Sequence, residues 1–147
     1  MLHPYSNNVL KRTIKTPKVY FYDTGLVCYL TRWSSPEVAE SGAMNGALLE
    51  NFTVSEIVKG YQNACKEPYL YFYRDRDAKE IDILMEGDGK LYPLEIKKTA
   101  MPDSRLTRVF SVIDKSPLQR GTGAILCLAD HFSAIDRDNL IVPVWMI

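Results

Sequence analysis

Soft metal ligands are scarce in this sequence: His3 and His131 stand far apart, and Cys28, Cys65 and Cys127 form no CxxC pair. Those absences argue against a zinc ribbon, a thioredoxin-like redox motif and a secreted disulfide framework. Charge of either sign is not in excess, because 18 Lys and Arg balance 18 Asp and Glu. A polyanionic partner would therefore have to be met by a local basic patch, not by the field of the whole molecule. No run approaches the roughly 18 apolar residues of a membrane span, and the stretch from Met1 to Asn8 is polar where a signal peptide would be apolar. The chain also lacks GxxxxGK[ST], so no ATP-binding P-loop is expected. What it has is apolar material: 46% hydrophobic residues in 147 suit one globular domain with its own core, expected to be cytoplasmic.

The patterning supplies the elements. Residues 1–22 carry Lys11, Arg12, Lys15 and Lys18 without an acid and end in Val19-Tyr20-Phe21-Tyr22, which reads as a basic arm followed by a strand. Asp23-Thr24-Gly25 caps a short apolar helix, and the Ser, Pro and Gly breakers between Trp33 and Gly42 predict a loop. Asn45 to about Tyr61 has helical spacing. Strands are expected at 69–73, 81–85 and 91–96, the last two joined through Gly87-Asp88-Gly89, with Pro93 suggesting an edge or irregular position. Residues 103–115 read as an amphipathic helix behind Pro102 and Asp103, and 123–128 and 140–145 as further strands. The order is helix, three strands, helix, strand, strand, which is an α/β domain over 23–147.

Asp/Glu-x-Lys occurs three times, at Asp77, Asp88 and Glu95, so the tripeptide alone decides little. Context separates the three. Only Glu95 and Lys97 flank an apolar residue on a strand, where side chains two apart share a face. If the hairpin sets Glu86 against Leu91, the same register sets Asp82 against Glu95, and a slip of one residue would send Asp82 to the opposite face. Two carboxylates so close ionise together only at a cost that a cation removes. Oxygen ligands without His or Cys favour Mg²⁺ or Mn²⁺, which join carboxylates to phosphate oxygens. Lys97 would then orient the attacking water or stabilise developing negative charge, and phosphodiester hydrolysis is the natural reaction. Spacing alone suits other arrangements too: a surface Glu95–Lys97 ion pair, an Asp82 satisfied by backbone donors, a Glu50 paired with Arg74 or Lys97.

The helix carrying Glu50, then Asp82 on one strand and Glu95-Ile96-Lys97 on the next, resembles the PD-(D/E)XK nuclease superfamily. The runs KTPKVYFYDTGLVCYL, GALLENFTVSEIVKG, YFYRDRDAKEIDILME and KLYPLEIKK, within about residues 10–100, resemble more closely the domain of unknown function 4143 at the C-terminal end of prokaryotic AAA-type ATPases. The resemblance implies a restriction-endonuclease-like core with a mixed sheet flanked by helices. It implies Asp82 and Glu95 as metal ligands, Lys97 as the catalytic lysine and Glu50 as an assisting carboxylate. It also implies an ATPase partner, upstream or separate, with Met1 to Tyr22 as the remnant of a winged-helix linker. One departure is Ile81, which stands where that superfamily has a proline.

Arg74, Arg76, Lys79 and Lys98, with the tyrosines at 69, 71 and 73, are candidates for contact with DNA or RNA, although alternating tyrosines also serve as core packing. The alternative function is a catalytically inactive nucleic-acid- or protein-binding module that regulates or localises an AAA-type ATPase.

Overall fold

The computed structural model describes residues 1–6, 16–75, 77 and 79–147; Lys11, Arg12, Lys15 and Arg76 lie outside the described residues. In chain order the elements are β1 (His3–Pro4), α1 (Thr24–Leu30), α2 (Pro36–Ser41), α3 (Asn45–Asn63), β2 (Leu70–Arg74), β3 (Glu80–Gly87) and β4 (Lys90–Lys97). A 3₁₀ helix (Ser104–Lys115) follows, then β5 (Gln119–Arg120), β6 (Gly123–Cys127), β7 (Ser133–Ala134), β8 (Asn139–Pro143) and a closing 3₁₀ turn, Val144–Met146. This is the expected α/β class.

Among the described residues eight strands form one mixed sheet, ordered β1-β2-β3-β4-β6-β8-β7, with β5 beside the start of β4. β2, β3 and β4 are an antiparallel meander, whereas β4, β6 and β8 run parallel. The β3–β4 hairpin closes on Asp88 and Gly89, whose φ angles of 50° and 71° are the left-handed pair that a tight two-residue turn requires. That turn fixes Glu86 against Leu91 and carries the register on to Ile83 against Leu94.

Alternation along the strands puts apolar side chains on both faces, as a doubly covered sheet requires. Val54 of α3 packs with Ile83, Leu94, Ile96, Ala124, Leu126 and Val144. Phe110 and Ile113 of the 3₁₀ helix pack with Ile81, Leu84 and Leu91, and Leu106 packs against Ile125 and Cys127. The apolar positions 106, 109 and 112, and 110 and 113, recur every third residue, a period that suits three residues per turn. Asp103 caps this helix by accepting from the Arg105 N–H at 2.8 Å. Gly123 lets the Phe110 ring lie directly on β6, since a Cβ there would meet that ring at 2.7 Å.

Three sequence expectations need correction. Val19–Tyr22 is not a strand; Lys18 alone pairs with Leu2, and the next backbone groups go to a side chain, with Asn51 Oδ1 accepting from Phe21 N and Asn51 Nδ2 donating to Phe21 O. The expected loop before Gly42 contains α2, because Ser35 accepts from the Val38 N–H and Pro36 takes the first helical position. Pro93 is not on an edge but on a central strand, fully buried, where it takes the irregular position that was the other expectation. Its missing N–H is accommodated because β4 changes parallel partner there, from β5 at Lys90 and Leu91 to β6 from Leu94 onward.

Candidate active site

β3 begins and β4 ends on the same side of the sheet, away from the hairpin turn, and this end carries the charged groups. The register of the hairpin extends Asp82 toward Glu95, and the two carboxylates meet around one ammonium. Lys97 Nζ lies 2.7 Å from Glu95 Oε1 and 3.9 Å from Asp82 Oδ2. Asp82 Oδ2 also accepts the Ile96 N–H at 2.8 Å, so a side-chain oxygen caps the backbone where regular pairing with β4 stops. Glu95 and Asp82 side chains are only 10% and 13% exposed, and Lys97 is 40% exposed, so the pair is sunk and its ammonium reaches solvent.

Glu50 arrives from α3, where Asn51 and Val54 are buried and hold the helix against the rest of the domain. Its counter-ion is neither Arg74 nor Lys97 but Lys18, at 3.2 Å from Oε1, while Tyr20 Oη donates to the same oxygen at 2.5 Å. Lys18 also reaches Glu80 Oε1 at 2.6 Å. Glu80 is met from outside by the exposed Arg74, 3.9 Å away. Among the described residues two ammoniums, Lys18 and Lys97, and the outer Arg74 thus serve four carboxylates, Glu50, Glu80, Asp82 and Glu95.

The electrostatics register this deficit of positive charge. Burial, reinforced by the neighbouring Asp82, pushes the Glu95 carboxyl up to about 7 against the pull of Lys97. Asp82 is raised too, by burial first and then by Glu50, with the Ile96 N–H, Lys97 and Lys18 opposing. For Lys97 burial alone would lower the ammonium, but its hydrogen bond to Glu95 and the surrounding carboxylates outweigh this and hold it above its ordinary value. Tyr20 is raised by burial and by its bond to Glu50.

The donor set can be tested against a divalent cation. Among the described residues no three His, Cys, Asp or Glu side chains gather as a metal cage. A pair of carboxylates does, and Mg²⁺ commonly takes one or two carboxylates and completes its shell with water and phosphate oxygens. Glu95 Oε2 is buried and takes no hydrogen bond among the described residues, which leaves one oxygen for a cation to claim. Asp82 and Glu95 therefore fit such an ion.

The remaining expected residues divide. Arg74 borders the cluster through Glu80. Lys79 is exposed in the loop before β3, with its N–H on Asp75 Oδ1. Lys98 is exposed and donates to the Glu40 carbonyl at 2.7 Å. Tyr71 and Tyr73 pack with the Ile81 cluster, Tyr71 edge-on to Tyr5, and only Tyr69 is well exposed.

A family model described as Domain of unknown function (DUF4143) matches residues 45–147, which hold Glu50, Asp82, Glu95 and Lys97. The chain belongs to the DUF4143 family. A second model, also described as a domain of unknown function (DUF8612), matches residues 1–37. The DUF4143 match starts later than the motifs suggest and runs on to the last residue, and KTPKVYFYDTGLVCYL falls in the DUF8612 segment. Uncharacterised proteins of Mycobacterium bovis and Mycobacterium tuberculosis are each 29% identical over 143 residues, 97% of this chain but 31% of theirs. The chain thus spans under a third of the length of these relatives. No solved structure matches.

Sequence reasoning placed Lys18 in a basic arm without a partner in the site and passed over Tyr20 and Glu80. The i, i+2 spacing of Lys18 and Tyr20 was the available signal, but its target lies 30 residues further along the chain at Glu50. Beyond Glu50 the wall formed with residues 18–21 opens into a cavity of about 370 Å³ lined by Tyr20, Phe21, Trp33, Met44 and Leu48.

Proposed function

We propose that this DUF4143 domain is a metal-dependent nuclease of the PD-(D/E)XK type, hydrolysing phosphodiester bonds in DNA or RNA, within a longer ATPase-type protein. The observation that carries the reading is the pair of sunken carboxylates, Asp82 and Glu95, sharing one ammonium at the end of a β-hairpin. Asp82 and Glu95 would hold Mg²⁺ or Mn²⁺. The chemistry such an ion supplies when bound is polarisation of a phosphoryl oxygen and acidification of water.

The residues supply the rest. Lys97 presents its ammonium at the solvent side of the pair, where it orients the attacking water and stabilises the charge that builds on the phosphoryl oxygens. Water adds to phosphorus, the ester P–O bond breaks, and the leaving oxygen takes up a proton. Glu95 must lose its own proton to serve as a ligand, so its raised pKa makes the site more competent above neutrality than below it. Glu50 completes the acidic wall, and the exposed Arg74 and Lys79 would meet the phosphate backbone.

A plasmid-nicking assay tests the proposal. Nicking by the wild-type protein should need Mg²⁺ or Mn²⁺ and fall at least about a hundredfold in Asp82→Ala and Lys97→Ala. Equal activity in all samples would mark contamination and defeat the reading.

A further inference from the structure

We infer that Lys18 and Tyr20 are positioning residues of this site: they hold Glu50 in place for the chemistry of Asp82, Glu95 and Lys97. The inference rests on the nuclease reading. Both donors converge on one atom, Glu50 Oε1, from a segment that is neither helix nor strand. Among the described residues both side-chain hydrogen bonds to Glu50 fall on Oε1.

These contacts are not what anchors the segment. Its backbone is already fixed twice, by the reciprocal Leu2–Lys18 hydrogen bonds of 2.9 Å each and by the Asn51–Phe21 pair of 2.7 and 3.1 Å. The Lys18 ammonium also lies over the Phe72 ring, 5.4 Å from its centre. With the main chain secured by other groups, the two side chains are available for the carboxylate. Lys18 ties Glu50 to Glu80 and thereby links α3 to the start of β3, two residues before Asp82.

The clamp also crosses a boundary. Lys18 and Tyr20 lie in the segment matched by DUF8612, whereas Glu50, Asp82, Glu95 and Lys97 lie in the DUF4143 match. The working site is then a product of both segments, and residues 16–22 belong to it as much as the hairpin does.

A mutant cycle on the full chain separates this role from a merely structural one. Lys18→Met should lower the nicking kcat about tenfold while leaving KM for the plasmid within about threefold, because positioning acts on the reacting geometry more than on substrate binding. In a Glu50→Gln background the same change should cost less than about twofold, since residues acting through one another are non-additive. Lys18→Arg should keep activity within about threefold, and Tyr20→Phe should lose about threefold. The Mn²⁺ dissociation constant, read by calorimetry, should show the same coupling: altered by Lys18→Met when Glu50 is intact and unaltered in the Glu50→Gln background. Additive effects, a loss confined to KM, or failure of Lys18→Arg with a lowered melting temperature would overturn the inference and leave the nuclease reading standing. If the wild type binds Mn²⁺ without nicking, the nuclease reading fails and the calorimetric coupling alone decides the clamp. A wild type that neither nicks nor binds Mn²⁺ overturns both.

Discussion

Glu95 concentrates the physical tension of the molecule. Its side chain is 10% exposed, one oxygen is held by Lys97 at 2.7 Å and the other lies buried. Because its carboxyl is lifted from an ordinary value of 4.5 to about 7, the folded protein keeps a proton that the unfolded chain has lost, and folding weakens as pH rises through that window. Glu95→Gln, which needs no ionisation, should therefore be more stable than wild type at pH 8, by about 1–3 kcal/mol, with the advantage vanishing near pH 4. Urea denaturation at both pH values checks this. An advantage that grows toward acid pH would reverse the sign. A saturating divalent cation should remove the difference at pH 8, since it stabilises the ionised wild-type pair and has less to bind in the variant.

At the scale of elements, the hairpin decides whether a site exists. Residues 87–90 were legible as a turn, and the pairing of Glu86 with Leu91 was the register that, if adopted, would bring Asp82 to Glu95; the structure has that pairing. Helix α3 and the apolar runs of β4 and β6 were legible for the same reason: their periodicity is local. The clamp on Glu50 was not legible, because it is made by an irregular segment whose backbone is satisfied by the Asn51 side chain, and no period in the sequence encodes that. Of the two positions expected for Pro93, the edge does not hold and the irregular one does, because two successive partner strands leave a gap in the ladder there. Two variants test these elements. Gly89→Val puts a β-branched residue at φ 71° and should destabilise the fold by about 1–3 kcal/mol while Gly89→Asn costs less, measured by thermal unfolding. Asn51→Ala removes both hydrogen bonds to Phe21 and should cost about 1–3 kcal/mol, with amide exchange accelerated at Phe21 and Leu2. Unchanged exchange there would show that the segment is held by something else.

For the whole molecule, zero net charge gives no general attraction to a polyanion, so any nucleic-acid contact depends on the few cations near the acidic end of the sheet. Arg74 and Lys79 are exposed beside it, and changing both to Gln should weaken nucleic-acid binding and flatten its salt dependence by about two counterions. The chain has no P-loop and spans 31% of the length of its mycobacterial relatives, so the ATPase partner, which is proposed from the resemblance alone, would be supplied by other sequence. The claim on which these expectations depend is that Asp82 and Glu95 take up one divalent cation between them. Calorimetric titration of the protein with Mn²⁺ at pH 8 measures that directly. A single saturable site is expected, weakened at least about tenfold in Asp82→Asn and in Glu95→Gln. No binding heat in the wild type, or equal affinity in all three proteins, would contradict it.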